Sequence, residues 1–541
     1  MHLSRPKIFK AVISWSILFA FDPCAPHSAL AAGSGRELFN IVDYGAKRNG
    51  AVLATNAFRQ AIQAARANGG GTIYVPAGKY ISGPIELFSN MTLDIDAGAT
   101  IEFPVAPLPF TKGRYLGVEA LVPMPLIGGH DVENVTVTGR GVLTTADYEA
   151  WRKAYKSAAE EYQKGIVSTH GDESGSANGP HWDRLLKDLE AKQPVSEQEY
   201  LEAAPELRPS FICFMNAKNV LVENVRIVGA PMFVVHLLYA ENATVRNVMI
   251  ETYPGPHANA IVADSSRFVR ISDDYVDTGD DGIVLKSGKD ADGLRVNRPT
   301  EHVSITNCTV HHAHGAVVIG SETSGGIRDV VASNITAVDT ENGIRLKSRR
   351  GRGGVVEDIR FDNWTMENVG EGIVVTSYYV MGGETATKEE PVSERTPAFR
   401  NIAISNVTIN GAKKKAIEID GLPEMPIVGL RLTDIVGSGK VGLTARYTDA
   451  LELHSVQLNA DSGPAFAIEM ASNLELDDLS TRKPIAGSPV LRLTEAPGTI
   501  LRNSRAYPGT AVFLSAGPGE LKSFRFIGNV LDNAKILTEE R

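Results

Sequence analysis

Two neighbouring carboxylates, Asp280 and Asp281, stand in the stretch "DTGDDGIVLKSG", directly ahead of an apolar run that ends in Lys286. Two acids held close together split their pKa values, so one stays protonated while the other ionises. An acid and a base at one place is what glycosidic hydrolysis requires. Successive side chains on a strand point to opposite faces. The pair therefore predicts an irregular backbone at Gly279, a residue free of a Cβ, where a bulge would aim both carboxylates outward. Taken alone, the pair fits an Asp-rich turn equally well. Other polar groups recur at similar places in adjoining segments: His257 and Asn259, then His314, then Arg345 and Lys347.

The elements that must position these groups repeat. One series runs "NVLVENVRI" from Asn219, "NATVRNVMI" from Asn242, "FVRISDDYV" from Phe268, "HVSITNCTV" from His302 and "NIAISNVTI" from Asn401. A second interleaves with it: "AIVAD" from Ala260, "GIVLKS" from Gly282, "AVVIGS" from Ala316, "GIRLKS" from Gly343 and "GIVVTS" from Gly372. A period of roughly 20 to 45 residues signals a solenoid. A strand this short buries its face only by stacking on its neighbours. The sequence predicts an all-β, right-handed parallel β-helix. A β-sandwich would need hairpin signals between strands, and few Asn-Gly or Asp-Gly pairs stand in such positions. Stacked strands lie about 4.8 Å apart, so four rungs span roughly 14 Å, room for about three sugar rings.

Two segments break the repeat. "TNAFRQAIQAARANGGG" from Thr55 places Phe58, Ile62 and Ala65 on one helical face, and a helix there would cap the N-terminal end. Residues 148–207 are charged and read as a helical insertion on a loop.

The 541-residue chain carries a formal net charge of -10, which argues against non-specific nucleic-acid binding. Its opening residues combine Arg5, Lys7 and Lys10 with a short apolar core and a small-residue site at Ala29–Ala31. Residues 1–31 are therefore expected to be a signal peptide, leaving one β-helix domain over 32–541 in a secreted or periplasmic protein. The apolar core is too short to span a bilayer. Cys213 and Cys308 are the two thiols after that segment, too few for a disulfide scaffold.

The motifs "GDDGIVLKSG", "HGAVVIGSETSGG" and "GIRLKSRRGRGG", in that order, resemble glycoside hydrolase family 28, the polygalacturonases and their relatives. "FNIVDYGAKRNG" and "GGGTIYVPAGKYISGPI" resemble the N-terminal part of its bacterial members. The resemblance implies Asp280 as general acid, Asp281 as activator of the attacking water, and His314 beside them. It implies Arg345 and Lys347 as the holders of a uronate carboxylate, and the doublet Tyr378 and Tyr379, Tyr378 first, as a substrate contact. The family's Asn-x-Asp-Gly is here "HANA", which puts His257 and Asn259 at the first two polar positions, so an amide replaces one carboxylate. An amide holds water but accepts no proton. The implied activity is inverting hydrolysis of galacturonate-containing bonds in pectic polysaccharide, by a monomer with no cofactor and no metal. Two alternatives stand beside it: β-elimination of the pectate lyase type, and pectin binding without turnover.

Overall fold

The computed structural model describes residues 37–145, 179–255, 257–379 and 388–540. The expected signal segment lies outside them, as does the first half of the expected insertion. Through the described residues the chain winds as a right-handed parallel β-helix, the hand that parallel crossovers adopt. Each central turn contributes three short strands. Val235–Leu238, Glu241–Arg246 and Met249–Glu251 make one turn, and each pairs in parallel with its counterpart on the next.

The register explains the repeats. Ile261, Ile283, Val317, Ile344, Ile373, Ile417 and Leu443 align rung on rung and are buried. β-branched and other aliphatic side chains at one repeated position fill a continuous core that runs from Phe39 to Phe524. At the second residue of the middle strands the backbone bends through the left-handed region, which Asn tolerates best. Asn134, Asn219 and Asn242 all have positive φ. Their amides pair along the axis, Asn242 to Asn219 at 2.6 Å and Asn219 to Asn134 at 2.9 Å.

The helix Thr55–Ala67 buries Ala57, Phe58, Ala61, Ile62 and Ala65 and packs on the first strands, as its spacing predicts. Within 148–207, the described part holds two helices, Pro180–Glu190 and Glu197–Ala203, the second closed by a capping box between Ser196 and Glu199. An antiparallel hairpin, Phe110–Tyr115 and Val118–Pro123, was not foreseen. Hairpin and helices pack together through Tyr115, Leu116, Trp182 and Leu185, and the cluster sits on Val262, Val284 and Val318. The Tyr115 and Trp182 rings meet edge to face at 5.3 Å. Those three valines point outward from strands Ile261–Asp264, Ile283–Lys286 and Val317–Ile319, so the cluster walls part of that face. Among the described residues no helix is long and apolar enough to cross a membrane.

Candidate active site

The strands beside the wall carry the polar groups singled out in the sequence. Ile261 pairs with Ile283, Ile283 with Val317, and Val317 with Ile344. Asn259 and Asp281 each stand two residues ahead of such a position, so they occupy neighbouring rungs. The backbone N–H of Ala260 donates to the carbonyl of Asp281 at 3.0 Å, which ties the two turns. Register thus gathers Asn259, Asp280, Asp281 and His314 just ahead of the stacked strands, while Arg345, level with Val318, and Lys347, at the far end of its own strand, join them through their long side chains.

Gly279 plays a different part from the one expected. Its φ lies outside the left-handed region, but a Cβ there would stand 2.6 Å from the carbonyl carbon of Pro254. It is glycine because another backbone crosses close by. The two acids then separate by surroundings. Asp280 Oδ1 accepts the backbone N–H of Asp281 at 2.7 Å and faces His314 Nδ1 at 3.4 Å. Its Oδ2 faces His257 Nδ1 at 3.7 Å. Asp281 is buried, with Oδ2 bound to Lys347 Nζ at 3.0 Å. Its other oxygen, Oδ1, is buried and has no hydrogen-bond partner among the described residues.

Charge follows geometry. Burial would raise the Asp280 pKa, but the hydrogen bond and charge of His314, with the charges of His257 and Lys347, hold it far below the usual carboxylate range. Burial likewise opposes a charged His314, yet its hydrogen bond to Asp280 and the charges of Asp280, Asp281 and Glu341 lift it to about 9. In the resting site the proton of this pair sits on the imidazole. His314 Nε2 also lies 3.8 Å from Glu341 Oε1.

The cations lie on the next strand, Asn342–Lys347. Arg345 has a buried Nε without a hydrogen-bond partner among the described residues. The Tyr379 ring lies 5.4 Å from the Arg345 guanidinium and 4.7 Å from Lys347 Nζ. Tyr378, the other ring of the doublet, meets Arg446 at 5.1 Å, and burial pushes its phenol up to about 12. Adjacent residues project oppositely, so the doublet "YY" did not say which ring faces the site.

Asp264 lies one strand length further on, in a structural role. Its Oδ1 pairs with the buried Arg114 at 2.6 Å, and His236 Nε2 lies 3.6 Å from its Oδ2. Burial would raise this carboxyl, but Arg114 and then His236 hold it at about 2. The pair fastens the hairpin to the sheet. Nothing in the sequence signalled that Arg114 would reach across 150 residues. A cavity of about 60 Å³ lies under the hairpin, lined by Cys213, His236 and Met215; the site's side chains do not line it. Among the described residues, no group of three His, Cys, Asp or Glu side chains is placed to hold a metal ion.

Residues 131–450 match the model of glycosyl hydrolases family 28, and residues 38–102 match that of the rhamnogalacturonase A/epimerase, pectate lyase-like family. The chain is 26% identical over 450 residues to a probable polygalacturonase of Vitis vinifera, covering 80% of this chain and 79% of that protein. It is 28% identical over 399 residues to an exo-poly-alpha-D-galacturonosidase of Dickeya chrysanthemi, covering 71% of this chain and 64% of the other. A hyperthermoactive exopolygalacturonase from Thermotoga maritima superimposes with a TM-score of 0.68 at 32% identity, over 78% of this chain and 92% of that structure. The extent of the family match and the shared architecture place this chain among the glycosyl hydrolases of family 28.

Proposed function

We propose that the protein hydrolyses galacturonate-containing glycosidic bonds of pectic polysaccharides. One observation carries the reading: Asp281 is a buried carboxylate with one oxygen fixed by Lys347 and the other unpartnered. Such an oxygen is placed to hold a water and take its proton as the water attacks the anomeric carbon. The bond from that carbon to the leaving oxygen breaks as the new carbon–oxygen bond forms. The leaving oxygen takes its proton from Asp280. Because Asp280 rests ionised, it first draws that proton from His314. A bound uronate brings negative charge and excludes water, and both favour the transfer. Base and acid on opposite faces of the sugar give inversion.

The Arg345 fork and the Lys347 ammonium suit a uronate carboxylate. The names of the Vitis, Dickeya and Thermotoga relatives support a polygalacturonan substrate, and the last two support release from a chain end. The wall over Val262, Val284 and Val318 fits that mode, since it closes one side of the face on which the site opens. A polymeric substrate outside the cell accords with the export expected of residues 1–31.

Asn259 favours a second reading, a protein that binds pectin without cutting it, because the amide is buried one rung from Asp281. A reducing-end assay on polygalacturonan, rhamnogalacturonan and xylogalacturonan separates the two. The expected result is monosaccharide released from polygalacturonan with inverted configuration by NMR and no ultraviolet-absorbing product. Saturable binding with no new reducing ends would establish the second reading. An unsaturated product would establish β-elimination.

A further inference from the structure

Beside the catalytic turn, four aromatic rings lie together outside the core. Tyr253 stacks on His312, with centroids 4.5 Å apart and planes at 28°. His312 neighbours His311 at 6.1 Å, and His311 neighbours Tyr275 at 5.4 Å. The Asp277 carboxylate holds His312 Nδ1 at 2.9 Å. Tyr253 is nevertheless 55% exposed. Its ring thus has one face against a pinned imidazole and the other toward solvent. A ring held this way loses little freedom when a ligand settles on it.

The platform is tied to the chemistry. Asp277 and His312 precede Asp280 and His314 by three and two residues. The backbone that follows Tyr253 crosses Gly279 so closely that a Cβ there would touch it. The electron-rich face of an aromatic ring attracts the positive edges of C–H bonds. One side of a sugar ring presents such C–H bonds. The Asp277 carboxylate beneath Tyr253 is taken up by its contact with His312 Nδ1, whereas Arg345, the cation assigned above to the uronate, lies on another strand.

We propose that Tyr253 is a sugar-stacking subsite, which takes one further ring of the substrate chain by its apolar face rather than by its carboxylate. The proposal rests on the hydrolase reading above. It is tested by comparing wild type, Tyr253→Leu and Tyr253→Trp on digalacturonate and on a longer oligogalacturonide, at low and high salt. Tyr253→Leu is expected to raise KM for the longer chain about 5- to 10-fold, with kcat and the digalacturonate kinetics unchanged. The penalty persists at high salt, because no ion pair is lost, and Tyr253→Trp restores binding. An unchanged KM, an equal change for both chain lengths, or a penalty that salt removes would overturn it. Should no chain be turned over by any variant, the hydrolase reading fails instead. Calorimetric binding of the same two oligomers then tests the platform by the same length and salt criteria.

Discussion

Asp280 and Asp281 are neighbours in sequence and opposites in environment, and each substitution should report its own surroundings. Asp281→Asn keeps the shape but removes the proposed base and leaves Lys347 without its counter-charge. Turnover should fall about 100- to 10,000-fold while oligogalacturonide binding, measured by calorimetry, survives. An active variant would show that another group activates the water. Asn259→Asp puts a second proton acceptor on the neighbouring rung and should raise kcat. The pH profile tests the other acid. His314 holds its proton up to about 9, so the alkaline limb of kcat/KM should lie near that value and move lower in His314→Gln. Asp280, Asp281, His314, Arg345 and Lys347 were legible in the sequence because each sits in a motif whose order is itself distinctive. The backbone crossing at Gly279, and which ring of the tyrosine doublet lies against Arg345, were not, since both depend on residues far away.

The turns between strands carry a second kind of information. Asp274 is buried, with Oδ1 accepting the backbone N–H of Val248 at 2.8 Å and Oδ2 unpartnered among the described residues. Burial pushes its carboxyl up to about 7. The folded chain therefore binds this proton more tightly than the unfolded chain, whose aspartates titrate near 4. The stability it contributes is complete below about pH 4 and is lost as pH rises through about 7. Three pKa units correspond to roughly 4 kcal/mol, an upper bound. Asp274→Asn keeps the acceptor oxygen and should flatten Tm against pH across that window, as scanning calorimetry would show. The wall is the other element with a measurable role. Trp182→Ala empties its centre, and loss of a buried Trp costs about 3–5 kcal/mol at most sites. The loss should fall on the wall, leaving Tm of the β-helix nearly unchanged, while products shift from monosaccharide toward longer oligomers. An unaltered product pattern with a displaced wall would mean that something else sets the cleavage mode. The capping helix at Thr55–Ala67 was legible from its 3.6-residue periodicity. The hairpin was not, because its strands lack the turn residues that announce one and join instead through Leu116 and Gly117.

At the scale of the whole molecule, stability is a sum over neighbouring rungs. Ile344 lies in the stack between Val317 and Ile373. Ile344→Ala should cost about 2–5 kcal/mol. Hydrogen exchange should quicken in the adjoining rungs while those near Ile73 or Leu493 stay protected. Uniform loss of protection would show that the solenoid unfolds as one unit. The fold was readable at this scale because the repeated aliphatic positions and the Asn turns recur in register, and a pattern repeated many times outweighs any single weak copy. One consequence of the walled face concerns the material rather than the molecule. An enzyme that trims polymers only at their tips leaves the long strands of a gel entangled. Under the proposed release from chain ends, a pectin solution treated with this protein should therefore stay thick while its sugar content in solution climbs. Treated with the Trp182→Ala variant, it should begin to flow, a difference that a falling-ball viscometer would register.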